Sequence, residues 1–124
     1  MSEVKSYRDL KVWQNGMDFA AEVYRLAKAM PRNEEYRLTS QMLRAAASVP
    51  ANIAEGHGRE NTRSFIQYLR IAPGSLKELE THLLLAERVG ILARGQIDAP
   101  MGQCEALGKM LRALIRSLQR KEGT

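Results

Sequence analysis

The fold is decided by residues 65–86, which read FIQYLRIAPGSLKELETHLLLA. Apolar residues recur there at alternating spacings of four and three, which is the pattern of one buried helix face. They are Phe65, Leu69, Ala72, Leu76, Leu79, Leu83 and Ala86. Because the apolar phase continues unchanged across Pro73, we expect the proline to kink this helix and not to break it. The helix is predicted over residues 62–89, from a start near Asn61 to a Schellman-type stop at Gly90.

A first helix is predicted over residues 7–30. Ser6 and Asp9 have the spacing of a capping box at its start, and Pro31 closes it. One apolar stripe consists of Leu10, Trp13, Met17, Ala20, Tyr24 and Ala27, and a second of Val12, Phe19, Val23, Leu26 and Met30. Two adjacent stripes form a face wider than a contact with one other helix requires, and this favours self-association of the protein.

The second helix is predicted over residues 34–56. Asn33 is its candidate cap, and Glu34 would fall in its first turn, where the helix dipole favours acids. Pro50 lies inside the apolar pattern and predicts another kink. The glycines of residues 56–58 are interpreted as the end of this helix.

The fourth helix is predicted over residues 98–120, with Asp98 as its candidate cap. Its core stripe is Ile97, Met101, Cys104, Leu111, Ile115 and Leu118. No segment shows the alternation of a β-strand. Four amphipathic helices with short connections predict an all-α protein with one domain over residues 1–124, folded as an antiparallel up-down-up-down four-helix bundle.

The composition indicates a cytoplasmic protein. Its 124 residues are 44% hydrophobic, which suffices for one core. The single cysteine, Cys104, excludes an intrachain disulfide and fits a reducing compartment. The first residues contain no apolar segment typical of a secretory signal, and no apolar run reaches the roughly 20 residues of a membrane span. We therefore expect no membrane partner.

No catalytic, cofactor-binding or metal-binding constellation is recognisable in the sequence. A di-metal site in a helical bundle needs paired Glu-x-x-His motifs, whereas Glu78 precedes His82 by four residues, and the other histidine is His57. Cys104 falls on a core stripe, where a thiol behaves as a small hydrophobe. Residues 56–59 are glycine-rich and basic but follow a helix, so a plain turn is favoured over a phosphate cradle. We expect no enzymatic activity and no cofactor.

Two rows of basic residues are the part of the sequence that indicates a binding function. Lys and Arg exceed Asp and Glu by 19 to 14, and the net charge of +5 favours anionic partners. On the fourth helix, Lys109, Arg112, Arg116 and Arg120 fall within about 80° of one another around the axis. On the third helix, Arg63, Arg70 and Lys77 recur every seven residues. Two solvated faces without a ligand are the other interpretation of these rows.

Several segments in order resemble one bacterial family. They are residues 7–14 (YRDLKVWQ), 38–41 (LTSQ), 44–46 (RAA), 48–56 (SVPANIAEG), 74–76 (GSL) and 78–81 (ELET). Together they resemble the four helix bundle protein family, also called the 23S rRNA-intervening-sequence proteins. The resemblance covers residues 7–92 well, whereas the fourth helix matches in pattern only. Pro73 departs from the family pattern.

The resemblance implies an antiparallel four-helix bundle that assembles into a ring, typically a homopentamer. The chain is also similar to the accessory variability determinant of diversity-generating retroelements, a basic pentameric barrel that binds nucleic acid and partners a reverse transcriptase. No catalytic residues are carried over from either resemblance. Residues of the shared segments are assigned a structural or assembly role: Trp13, Arg44, Pro50, Asn52, Glu55 and Gly56.

Glu55 needs a partner from elsewhere in the protein. It lies near the end of the second helix, where the dipole disfavours an acid. Arg44 is three turns away on the same helix and is too distant to pair with it. We expect a partner on another helix or another subunit.

Two hypotheses about function follow from these observations. The first is a non-enzymatic homo-oligomer, an accessory protein that binds RNA or DNA with low sequence specificity through the basic rows. Five copies would carry a formal charge of roughly +25, which attracts polyanions. The alternative is a scaffold that docks a protein partner without binding nucleic acid, and it predicts an apolar patch outside the ring contact.

Overall fold

A computed structural model describes residues 5–122, and this part of the chain consists of helices without a β-strand. Four α-helices are present: α1 (Lys11–Ala27), α2 (Leu38–Gly58), α3 (Thr62–Arg88) and α4 (Arg94–Glu122). None of these helices combines the length and the apolar character that crossing a membrane requires. The all-α class with four helices is confirmed.

The helices enclose one continuous hydrophobic core. Helix α2 packs against α1 and α3, and α4 packs against α3 and α1. The largest fully buried side chains are Phe19, Met42, Ile53, Leu69, Leu76, Leu79, Leu83 and Leu111. Burying one such side chain stabilises the fold by about 1.5–3 kcal/mol, so the α3 stripe that is visible in the sequence supplies a large part of the core.

Helix α3 follows the sequence closely. The Asn61 side chain accepts a hydrogen bond from the Ser64 amide and caps the helix, which continues through Pro73 without a break. At its end, Gly90 adopts the left-handed conformation with φ of 80°. The Ile91 amide donates to the Ala86 carbonyl at 2.8 Å, which completes the predicted Schellman stop.

Helix α1 is shorter than the predicted span of residues 7–30. The capping box at Ser6 and Asp9 exists, but it closes only a 3-10 turn over Tyr7–Asp9. Leu10 is extended, so the α-helix starts at Lys11. It ends at Ala27, because the residues before Pro31 form tighter bonds between residues three apart and the position preceding a proline disfavours helix.

Helices α2 and α4 begin at other residues than the sequence predicts. Asn33 is not the cap of α2, which begins at Leu38. It lies instead in a separate 3-10 turn over Arg32–Glu34. Glu34 precedes the helix, although its carboxylate accepts a hydrogen bond from the Leu38 amide. Helix α4 begins a full turn before Asp98, because the connection that follows α3 is short.

Helix α2 ends within the predicted residues 56–58, and Gly56 is in addition a packing residue. Helix α2 continues to Gly58, and Glu60 is the residue that adopts the left-handed conformation in the turn. A Cβ atom built on Gly56 would lie 2.5 Å from Cβ of Tyr68 and 3.2 Å from the ring of Phe65. The glycine therefore permits the close approach of α2 and α3.

Two residues of the first apolar stripe of α1, Met17 and Tyr24, face outward, whereas Ala20 of the same stripe is buried. Met17 is 45% exposed and Tyr24 is 52% exposed, whereas Phe19 and Val23 of the second stripe are buried. Trp13 is half-buried and packs edge-on against Tyr7, with ring centroids 5.2 Å apart. The second stripe and Ala20 hold α1 on the core, and Met17 and Tyr24 leave an apolar surface uncovered, which we call the outward stripe.

Candidate nucleic-acid interface

The basic row of α4 lies on the side of the helix that faces solvent. Cys104, Leu107 and Leu111 are buried, and the cations occupy the opposite positions of the helical turn. All four cations are exposed: Lys109, Arg112, Arg116 and Arg120. The three residues of the α3 row, Arg63, Arg70 and Lys77, are exposed as well.

The two rows belong to one surface, although the sequence presents them as separate. Arg63 in the first turn of α3 donates a hydrogen bond to Glu122 in the last turn of α4 at 3.0 Å. Lys77 and Arg112 line the same groove between the two helices. The remaining residues of both rows lie on these two helices, and we call the seven side chains together the basic face.

Most of the positive charge of the basic face is not neutralised by neighbouring acids. Its ion pairs are Lys77 with Glu80 at 3.2 Å, Lys109 with Glu105 at 3.4 Å, and Arg63 with Glu122 at 3.0 Å. Across residues 5–122, no carboxylate lies within ion-pair distance of Arg70, Arg112, Arg116 or Arg120. Exposed pairs contribute only about 0–1 kcal/mol each, so the paired cations also remain available to a stronger anion.

A groove of about 230 Å³ runs between α3 and α4 within the basic face. Its floor contains Leu76, Cys104 and Gly108, and its rim carries the paired Lys77 and Glu80 together with Glu105 and Arg112. Burial raises the pKa of the Cys104 thiol to about 12, with a smaller contribution from Glu80. Cys104 is therefore a protonated thiol at neutral pH and not a nucleophilic thiolate.

The histidines and the acids do not converge on a metal-binding arrangement in the part of the chain that the structure describes. His82 lies 3.4 Å from Glu78, one turn earlier on α3. His57 packs edge-on against Phe65, with ring centroids 5.6 Å apart.

The protein family is identified by a sequence match that covers most of the chain. The sequence model of the 23S rRNA-intervening sequence proteins matches residues 8–113. The chain belongs to this family. The matched range takes in α1, α2, α3 and most of α4, so the predicted family is confirmed beyond the segments that carried the resemblance.

A solved structure from Bacteroides thetaiotaomicron is similar to this 23S rRNA-intervening sequence protein. It is described as a protein of unknown function from the S23 ribosomal protein family, and it shares 28% sequence identity with a TM-score of 0.78. The similarity covers 84% of this chain and 97% of that chain. Among curated proteins, no sequence matches this one significantly.

In this 23S rRNA-intervening sequence protein, the shared segments meet where α2 contacts α3. The hydroxyls of Ser48 and Ser75 share a hydrogen bond of 2.8 Å. The Asn52 amide donates to the Ser48 carbonyl at 2.8 Å and to the Ser48 hydroxyl at 3.0 Å. Pro50 lies between these two residues on α2 and is buried. The Ser48–Ser75 hydrogen bond thus connects the two helices, and Asn52 holds the Ser48 side chain from within α2.

Glu55 has its partner on α3. The Tyr68 hydroxyl donates to the Glu55 carboxylate at 3.1 Å, and Arg59 donates to the same carboxylate at 3.1 Å and to the Tyr68 oxygen at 2.6 Å. The hydrogen bond with Glu55, followed by the interaction with Tyr68, raises the pKa of Arg59. Sequence reasoning missed Arg59, although its spacing of four residues from Glu55 was the available signal. Arg44 is exposed.

Proposed function

We propose that this protein is a non-enzymatic homo-oligomer that binds nucleic acid with low sequence specificity through the basic face. The observation that carries the proposal is the joining of the α3 and α4 rows into one surface, in which four arginines have no ion pair within residues 5–122. Arginine binds phosphate oxygens through a planar fork of donors, and phosphate contacts carry little sequence information. The proposal includes a cytoplasmic location, for which the free Cys104 is the support.

The basic face supports binding without catalysis. Its side chains are exposed cations suited to contact phosphates, and the buried Cys104 thiol has a raised pKa that leaves it protonated. We assign no reaction to the groove, and the proposed role is that of an accessory protein. Among known anionic partners, nucleic acid offers phosphates at a regular spacing along a chain, which suits cations repeated along two helices.

The finer topology is part of the proposal. We propose an antiparallel up-down-up-down arrangement, because Arg63 near the start of α3 contacts Glu122 near the end of α4 at 3.0 Å. At the opposite ends, Arg94 of α4 contacts Glu87 of α3 at 3.1 Å. Short connections between consecutive helices favour the same arrangement for the other pairs.

Assembly into a ring, as a homopentamer, is also proposed. A ring interface joins two different surfaces, one from each neighbouring copy. One candidate is the outward stripe of α1 with the small residues of α2, where Trp13, Met17, Ala47, Ala51 and Ala54 line a shallow groove of about 290 Å³. The other is the exposed patch of Leu84, Leu85 and Val89 at the end of α3. Exposed apolar surfaces of this kind are typical of interaction sites.

Placing charges in the outward stripe will dissociate the oligomer. We expect the double substitution Met17→Glu and Tyr24→Glu to yield a monomer, because burying unpaired carboxylates in an apolar contact is costly. Light scattering measures the mass directly. The control is Gln119→Glu, an exposed position on α4 outside both apolar surfaces, and it should keep the wild-type mass. A stable wild-type monomer would contradict the assembly.

Docking of a protein partner is the second candidate function. It is favoured by the α3 patch, in which Leu84 is 48% exposed and Val89 is 58% exposed. If the ring leaves this patch uncovered, it is the apolar surface that a scaffold requires. In that case the basic face serves solubility, and the protein will not bind nucleic acid at low salt.

Salt dependence tests the proposed function. We expect fluorescence anisotropy of labelled oligonucleotides to report binding at ~50 mM salt and a loss of affinity of about a hundredfold at ~200 mM, if four phosphate contacts form. The loss arises because each neutralised phosphate releases a condensed counterion. Absence of binding at ~50 mM salt would remove the nucleic-acid function and favour the scaffold.

A further inference from the structure

We infer that the groove between α3 and α4 holds one unstacked base of a single-stranded nucleic acid. This inference rests on the proposed function and adds two properties to it: a preference for single strands and a defined binding site for a base. The groove lies between the cations of α3 and those of α4, so a strand bound along the basic face passes over it.

The size and the floor of the groove suit a planar base. Its volume of about 230 Å³ is below the roughly 300–1,000 Å³ of pockets for drug-sized ligands, so it fits a smaller group. The glycine at position 108 leaves room for its neighbours at the floor, since a Cβ there would lie only 3.3 Å from Arg112 Nη1 and 3.8 Å from Leu76 Cδ1. The face of a base is apolar enough to lie on Leu76 and Cys104.

The charges at the rim separate the base from its phosphate. Glu80 and Glu105 repel a phosphate from the interior of the groove, but their carboxylates accept hydrogen bonds from the amino groups of bases. Arg112 lies at the same rim without a carboxylate partner among the described residues, and it is placed to contact the adjacent phosphate. This arrangement excludes a phosphate from the floor and admits a neutral base.

Entry of a base requires that it leave its stack. In a duplex every base is paired and stacked, and extracting one base costs a few kcal/mol. A single strand has no pairing to break, so its bases enter at a lower cost. We therefore expect single strands to bind more tightly than the corresponding duplex, although the duplex carries more phosphates.

The substitution Gly74→Leu tests the proposed binding site for the base. Gly74 lines the groove, and a Cβ at this position meets nothing within 4 Å, so the leucine side chain has free space and will partly fill the groove. Leucine also favours helix more than glycine does, so the variant is expected to remain folded. The matched control is Gly102→Leu, at an exposed glycine of α4 with open space around it that does not line the groove.

We expect Gly74→Leu to weaken binding of a labelled single strand about tenfold and to leave binding of the duplex unchanged, while Gly102→Leu changes neither. Circular dichroism melting verifies that both variants are folded. An unchanged affinity for the single strand, or an equal loss for strand and duplex, would overturn the inference and leave the proposed function standing. If the wild-type protein binds neither the single strand nor the duplex, both the proposed function and the proposed binding site for a base are wrong.

Discussion

Replacing Arg112, Arg116 and Arg120 together with glutamine will lower the affinity for nucleic acid by at least about a hundredfold at ~50 mM salt. The three side chains form no ion pair within residues 5–122, so each is free to contact a phosphate. The slope of log affinity against log salt should become shallower by about 0.9 for each lost contact. Anisotropy titrations at several salt concentrations measure both quantities. Helicity should not change, because these side chains point to solvent.

A charge-matched control separates a local site from the effect of net charge. Arg25, Arg32 and Arg37 are exposed and lie on α1 and on the connection to α2, outside the basic face. Their replacement with glutamine removes the same charge, and we expect it to weaken binding by less than about fivefold through the weaker overall field of the protein. Equal losses in the two triple variants would show that binding depends on total charge and that α4 has no special role.

Gly56→Ala will destabilise the protein by about 1–3 kcal/mol, despite the higher helix propensity of alanine. The added methyl group would lie 2.5 Å from Cβ of Tyr68. A Cβ atom cannot move without its backbone, so α2 and α3 must separate. This separation also disturbs the hydrogen bond between Tyr68 and Glu55. Urea unfolding followed by circular dichroism measures the change in the free energy of unfolding.

Gly58→Ala is the matched control for this prediction. It lies two residues further on the same helix, and a Cβ there meets nothing within 4 Å. We expect it to leave the stability unchanged or to raise it by up to about 1 kcal/mol through helix propensity. If Gly56→Ala is as stable as Gly58→Ala, the close approach of α2 and α3 at Gly56 is not needed for folding.

Periodicity predicts the buried face of α3 correctly and overestimates the width of the buried face of α1. Helix α3 contacts both α2 and α4, and its stripe from Leu69 to Leu83 is buried as the sequence predicts. The two stripes of α1 are equally apolar in sequence, and only the tertiary arrangement decides that Phe19 faces inward and Met17 outward. A single sequence cannot distinguish a core face from an interaction surface by hydrophobicity alone.

Local signals locate a turn, but they do not fix the type of structure that follows. The capping box at Ser6 has the expected hydrogen bonds and still leads to a 3-10 turn, because Leu10 is extended where a helix would have to continue. Gly56 is of a residue type that often ends a helix, but in this fold Tyr68 packs directly against it. A glycine that ends a helix and one that admits a neighbouring backbone are the same letter in the sequence.

The candidate site was predictable as a set of cations and not as a surface. Spacing along one helix identifies each row, such as Arg112 and Arg116 on α4. The pairing of α3 with α4 brings Lys77 to the groove that Arg112 also lines, and no pattern within either helix contains that information. The groove itself depends on Gly74 and Gly108, whose missing side chains become meaningful only when the facing helix is known.

The hydroxyl pair between α2 and α3 has a consequence for how the two helices align. Helices that touch mainly through alanine and leucine can slide along each other by one turn, about 5.4 Å, and still bury similar side chains. Ser75 is only 8% exposed, and its hydrogen bond with Ser48 exists in one alignment. A slipped pairing would leave this buried hydroxyl without a partner at a cost of about 1–3 kcal/mol. This contact acts with the Tyr68–Glu55 hydrogen bond and the close approach at Gly56 to select a single longitudinal register for α2 and α3.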